Sequence, residues 1–264
     1  MAMEQKIEGL ILDKLPWRER DILARLLLRN GRKVSIIFYG GQGGGSKKKT
    51  SLLEIGHLLK IELQHSKRLE NDVYTAKEFS LEWAHNKIRL NHQAFYLLCF
   101  FLEIINKVSP VDNLQDQYRD FGDNFEDLFR VTSNALFYLE KSVQDNNFSS
   151  IQHSFLFLCK LLNGLGVFPQ INTCHFCHAS LAGTASLLSI AEGGFICQKC
   201  LQHPIPEEDQ SLGKLMQQAI QIKYSEYLSL PPVPHYMVKM VMDYFIYQHH
   251  FEQKDFKTLP FIVG

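Results

Sequence analysis

The sequence predicts an α+β protein: a small barrel of short strands at the N-terminus, then an all-α part interrupted by a four-cysteine segment. Three observations predict it. Short apolar runs separated by turn signals fill roughly the first 80 residues. Longer apolar stretches with helical spacing follow, and two Cys-x-x-Cys pairs break into them. With 264 residues, 45% hydrophobic and 21% charged, the chain is long enough for one large or two small domains, and disordered and fibrous classes are excluded.

The strands come first. Ile7, Gly9 and Ile11 alternate with Glu8, Leu10 and Leu12, ahead of a turn-like Leu15-Pro16-Trp17. Asp21–Leu28 and Lys33–Tyr39 flank Asn30-Gly31, a pair that favours hairpin turns because both positions tolerate positive φ. The leucines of Asp21–Leu28 would also suit a helix; the hairpin turn decides for strand. Gly40–Gly45 and Ser46-Lys47-Lys48-Lys49 read as a flexible loop. Leu52–Leu63 and Val73–Phe79 read as further strands. About five antiparallel strands in this length close into a small barrel.

Helices follow. Asn91–Val108 stops at Ser109-Pro110. Leu114–Lys141 repeats Tyr118, Phe121, Phe125, Leu128 and Phe129 on one face. Ile151–Leu162 is closed by Asn163-Gly164 and Gly166. Gln210–Tyr227 and His235–His249 make two more, separated by Leu230-Pro231-Pro232-Val233-Pro234. The boundary is expected at residue 80: residues 1–80 form the barrel domain, and 81–264 a helical domain with an insertion at about 172–203. The longest apolar run, Ala94–Leu102, is far short of the roughly 20 residues that span a membrane. The first twelve residues lack an export-signal pattern, so the expected compartment is the cytoplasm.

The net charge is zero, but residues 1–78 carry +5 and residues 79–264 carry −5. Arg29 to Arg68 holds nine basic residues against Glu54 and Glu62. This asymmetry points to a polyanion partner for the N-terminal part. Arg25, Arg29, Arg32, Lys33, Lys60, Lys67 and Arg68, interleaved with Trp17, Phe38 and Tyr39, match a groove that binds single strands by charge and stacking. Trp17 reads equally as a core plug. Lys47, Lys48 and Lys49 fit a clamp on a phosphodiester backbone.

Cys174, Cys177, Cys197 and Cys200 have the spacing of a four-thiolate zinc site, with nineteen residues between the pairs. Four thiolates leave no open position for water, so the zinc would be structural. His175, His178 and His203 are nearby substitutes for a thiolate. The glycine loop fails the phosphate-loop pattern: from Gly43 the second glycine is missing, and from Gly41 both glycine and hydroxyl are missing. Asp112, Asp116, Asp120, Asp123, Glu126 and Asp127 read as a solvated helix face. No nucleophile–base constellation emerges, so the chain is not read as an enzyme.

Three blocks resemble the RecO family of bacterial recombination mediators. They are Ile7–Leu12 with Glu19–Leu23 and Asn30–Ser35; Leu161–Pro169 running into Cys174–Cys177 and Gly193–Cys200; and Phe256-Lys257-Thr258. The resemblance implies an OB-fold barrel followed by a helical domain with a zinc site. It implies binding of single- and double-stranded DNA, strand annealing, and partnership with RecR and with the acidic tail of single-stranded DNA-binding protein. It implies that these together load RecA, with no membrane partner and with the protein nucleoid-associated when on DNA. The helical domain, with Lys160, Lys199, Lys214, Lys223 and Lys239, is the expected tail receptor. The chain departs from the family in its loop, where Gly41–Gly45 intervene before the lysines. The alternative is another zinc-stabilised, OB-containing nucleic-acid-binding module without annealing activity.

Overall fold

The computed structural model describes residues 5–41, 51–64, 73–112, 114, 125–207 and 209–263. The chain divides into two compact units, residues 1–147 and 148–264.

The first unit is built on a closed barrel in the order β1-β2-β3-β5-β4. Its strands are β1 (Lys6–Trp17), β2 (Asp21–Leu28), β3 (Lys33–Phe38), β4 (Leu58–Leu63) and β5 (Val73–Trp83). Alternation decides the ambiguous leucine run for strand: Ile22, Ala24, Leu26 and Leu28 enter the core with Val34, Ile36 and Phe38 from β3. β1 is long because it serves two neighbours. Its first half pairs with β4 and its second with β2, with the register shifting between Ile11 and Asp13. The barrel closes through a parallel pairing of β3 with β5, so one seam departs from the antiparallel expectation.

The β2–β3 turn is not the simple two-residue turn that Asn-Gly predicts. Only Gly31 of the pair has positive φ, at 77°. Asn30 instead accepts the Arg32 N–H through its side chain at 3.1 Å. Leu52–Leu63 is likewise shorter as a strand than expected. Gly56, at φ 80°, breaks it, and Leu53 is fully buried in the barrel core. Backbone bonds between Ile11 and residues 56 and 57 fix this segment in place. Its apolar residues fill the barrel without extending its sheet.

Helix α1 (His92–Val108) packs on β1, and Asn91 caps it by accepting the Ala94 N–H. Helix α2 (Glu126–Gln144) has acids in its first turn and Lys141 in its last, matching the helix dipole. Of the helix expected over 114–141, Tyr118 and Phe121 lie outside the described residues, and Phe125 precedes α2. Asp116, Asp120 and Asp123 also lie outside them. Asp112 corrects the solvated-face reading: it is buried and accepts the Asn30 side-chain amide at 2.8 Å.

In the second unit, α3 (Ser150–Gly164) is the most buried helix, contacted by α5 (Leu212–Gln221) and α6 (His235–Gln248). Its chain exits through Gly166 at positive φ. Between α3 and α5 lie the hairpin β6 (Ser186–Ser189) and β7 (Gly194–Cys197) and the short α4 (Gln198–Leu201). The helix expected over 210–227 is two pieces. Ile222 and Lys223 are extended, and a 3-10 turn, Tyr224–Ser229, follows. Lys160 explains the break by donating to the Ile220 and Ile222 carbonyls and ending α5. A short α7 (Pro260–Val263) closes the described chain.

Candidate metal centre and nucleic-acid interface

Residues 170–175 run beside β7, where His175 donates its N–H to the Phe195 carbonyl and Phe195 donates to Gln170. Cys174 is thereby held against the hairpin. The chain reverses through His178, whose φ is 56°, and this turn brings Cys177 back beside Cys174. Gly193, at φ 72°, makes the β6–β7 bend. Cys197 ends β7, and Cys200 lies three residues on in α4, so both side chains share one side of the turn.

All four Sγ atoms lie within 4.8 Å of one another, and Cys177 and Cys197 are 3.7 Å apart. A tetrahedral shell with a metal–sulfur bond of about 2.3 Å needs sulfurs about 3.8 Å apart, so the four cysteines fit a metal ion. Burial raises the Cys174 thiol, but N–H donors of Cys177, Cys197 and Phe176 and a bond from the Cys177 side chain outweigh it and bring it down to about 6. Cys200 is pushed up to about 12, first by side-chain hydrogen bonds with Cys177 and Cys197. A divalent ion bound here would displace the thiol protons. His175 turns to Glu192, at 3.3 Å; His178 and His203 are exposed.

Of the expected DNA contacts among the described residues, Arg29 and Lys60 line one cavity of about 840 Å³, and Arg25, Arg32 and Lys33 are not among its lining residues. Arg25 points outward on β2 and pairs with Asp13 at 3.4 Å. Arg29 pairs with Glu8 at 2.5 Å and lies over the Phe129 ring; Arg32 lies over Phe125. Lys33 is half-buried and donates to the Asn106 carbonyl, and burial, with repulsion from Arg25 and Lys107, lowers its pKa. These three side chains fasten the β2–β3 turn to α1, α2 and the chain around them. Lys60 is exposed on β4, opposite Glu8. Lys47, Lys48, Lys49, Lys67 and Arg68 lie outside the described residues.

The structure also brings residues together at the β1–β2 tip. Leu15 and Trp17 stand on the outer face, opposite Leu23 and Asp21. Trp17 is 41% exposed, so it is no core plug. Asp21 accepts the Gly40 N–H at 3.0 Å, which sets the end of β3 beside it, where Tyr39 is 57% exposed. Exposed Arg18 and Arg20 occupy the turn between β1 and β2. Sequence reasoning missed both arginines. The available signal was the polar turn Arg18-Glu19-Arg20, bounded by an aromatic and a strand.

Two lysines expected to face a partner are used within the second unit. Lys160 ends α5, and Lys239 pairs with Asp243 at 2.9 Å. Lys199, Lys214 and Lys223 are exposed, and Lys214 lines a cavity of about 510 Å³. No helix among the described residues is long and apolar enough to cross a membrane.

A closed five-stranded barrel of OB type, joined in one chain to helices with a four-cysteine centre, makes a two-part architecture. The model of the family "Recombination protein O C terminal" matches residues 116–255, over half of the chain. The chain therefore belongs to the RecO family. It is similar to the DNA repair protein RecO of Bacillus cytotoxicus, 23% identical over 197 residues that cover 74% of this chain and 70% of that protein. It is also similar to DNA repair protein RecO of Bacillus mycoides and of Bacillus cereus. Each is 24% identical over 199 residues, covering 75% of this chain and 71% of the relative.

Proposed function

We propose that this chain acts in DNA repair and recombination. In this reading it binds single- and double-stranded DNA, anneals complementary strands and, with RecR, helps load RecA onto strands coated by single-stranded DNA-binding protein. Family membership and the relatives' designation as DNA repair proteins support the reading. The observation that carries it is the open aromatic edge of the barrel: Trp17 and Tyr39 exposed on either side of Asp21, with Arg18 and Arg20 in the adjoining turn. The strand 2–3 face and the loop between strands 1 and 2 are where OB barrels take oligonucleotides. Stacked rings hold unpaired bases while cations hold phosphates, an arrangement indifferent to sequence and suited to bringing any two complementary strands together.

The DNA-binding part in this reading is residues 1–80, with Lys47, Lys48 and Lys49 as a clamp, and Arg25 and Lys60 as outward charges. The helical remainder, residues 81–264, carries structural zinc on Cys174, Cys177, Cys197 and Cys200 within the insertion at 172–203. It also receives the acidic tail of single-stranded DNA-binding protein through Lys199, Lys214 and Lys223. The protein works by binding, without catalysis, in the cytoplasm and on the nucleoid. The test is annealing of complementary oligonucleotides coated with single-stranded DNA-binding protein. The reading expects acceleration over the protein-free rate without nucleotide hydrolysis. DNA binding with no acceleration would reduce the chain to a zinc-stabilised nucleic-acid-binding module.

A further inference from the structure

The four sulfurs differ in access. Cys174 and Cys197 are buried, Cys200 is half-buried, and Cys177 is exposed. Cys174 is occupied by the Cys197 backbone N–H, which donates to its sulfur. Cys177 combines exposure with a neighbouring sulfur, that of Cys197, at 3.7 Å. The two belong to different Cys-x-x-Cys pairs, one before the β6–β7 hairpin and one at its end.

The geometry points to Cys177 and Cys197 as a peroxide-sensitive pair whose disulfide releases the bound metal. The inference rests on the reading of the cluster as a metal site. The oxidant class is hydrogen peroxide. The Cys177 thiolate attacks one peroxide oxygen, the S–O bond forms as the O–O bond breaks, and hydroxide leaves. The Cys197 sulfur then attacks the Cys177 sulfur, the S–S bond forms, the S–O bond breaks and a second hydroxide leaves. Each sulfur loses one electron, and the peroxide, after taking up two protons, becomes two waters. Two of four ligands are then gone, and the remaining pair cannot complete a tetrahedral shell. With all four sulfurs held as thiolates by the metal, exposure selects Cys177 for the first step, because oxidation follows thiolate character and access. Cys159 is fully buried with its thiol pushed up by burial, and Cys99 is half-buried and likewise raised, so both are poor competitors. A reductant and fresh metal would restore the site.

The experiment uses the full chain purified with its metal. Metal content is measured first; the protein is then given one equivalent of hydrogen peroxide. Released metal is read with a colorimetric chelator, free thiols are blocked, and the unreduced chain is cut with trypsin and a glutamate-specific protease. Cleavage at Glu192 and Lys199 separates Cys197 from both Cys177 and Cys200. The expected result is one metal equivalent released, a single cross-link joining Cys177 to Cys197, and reversal of both by dithiothreitol with added metal. A Cys174–Cys177 link, a cross-link to Cys99 or Cys159, or metal retained after peroxide would overturn the proposal. Protein that holds no metal before oxidation would instead remove the reading on which it rests, while the mapped pairing still decides the thiol chemistry.

Discussion

Acid should weaken the helical unit through His153. This residue is 1% exposed in α3, its ring stacked on Phe148 and close to Tyr227, with centroids 6.0 and 4.8 Å away. Burial pushes its pKa from the ordinary 6.5 down to about 4. Between those values the unfolded chain holds a proton that the folded chain refuses, so stability rises with pH across the window and is lost as pH falls through it. The full penalty for 2.5 pH units at 1.36 kcal/mol each is about 3 kcal/mol, and the part incurred between pH 7 and pH 5 is about 2 kcal/mol. For a unit of this size that is a loss of roughly 5–10 °C in melting temperature. The perturbation is His153→Phe, which keeps an aromatic between the two rings and cannot titrate. The assay is thermal unfolding of both proteins at pH 7 and pH 5, compared as a difference, so that acid release of metal and titration of other histidines cancel. Wild type should lose about 2 kcal/mol more than the variant. Equal losses, or an imidazole that titrates near 6.5 by NMR in the folded protein, would refute the reasoning.

Three further outcomes are expected. Gly31→Ala should cost about 3 kcal/mol in urea unfolding, because φ is positive there and the new Cβ would meet the Phe125 carbonyl oxygen at 1.7 Å, a backbone clash that cannot be relieved by a rotamer. Cys177→Ser should lower the metal content, measured by elemental analysis, and destabilise the second unit while leaving barrel unfolding unchanged. Replacing Lys47, Lys48 and Lys49 by alanine should reduce the slope of log affinity against log salt for single-stranded DNA by about 2, and an unchanged slope would make the segment a linker only.

The parts of the fold legible in the sequence are those set by local pattern. The period-2 core of β2 and β3 and the thiolate quartet are both carried by neighbouring residues. What escaped prediction depends on partners distant in sequence. Arg29, Arg32 and Lys33 look like free cations until Glu8, Phe129, Phe125 and the Asn106 carbonyl are brought to them by the closed barrel and the helices on it. Lys160 looks like a surface charge until the end of α5 reaches it from some 60 residues away. Leu53 looks like a strand residue because burial in a barrel core and burial in a sheet use the same amino acids. Trp17 was undecidable in sequence because its exposure depends on which face of β1 the barrel closes over.

The account's central claim is that unpaired bases stack on the Trp17–Tyr39 edge of the barrel. The chain has two tryptophans, so Trp83→Phe leaves Trp17 as the sole indole reporter. Titration of that variant with a single-stranded oligonucleotide should quench its fluorescence in step with binding. Adding Tyr39→Ala should weaken the affinity about 10-fold, as loss of one stacked base predicts. Tight binding with unaltered Trp17 fluorescence, and no effect of Tyr39→Ala, would contradict the account.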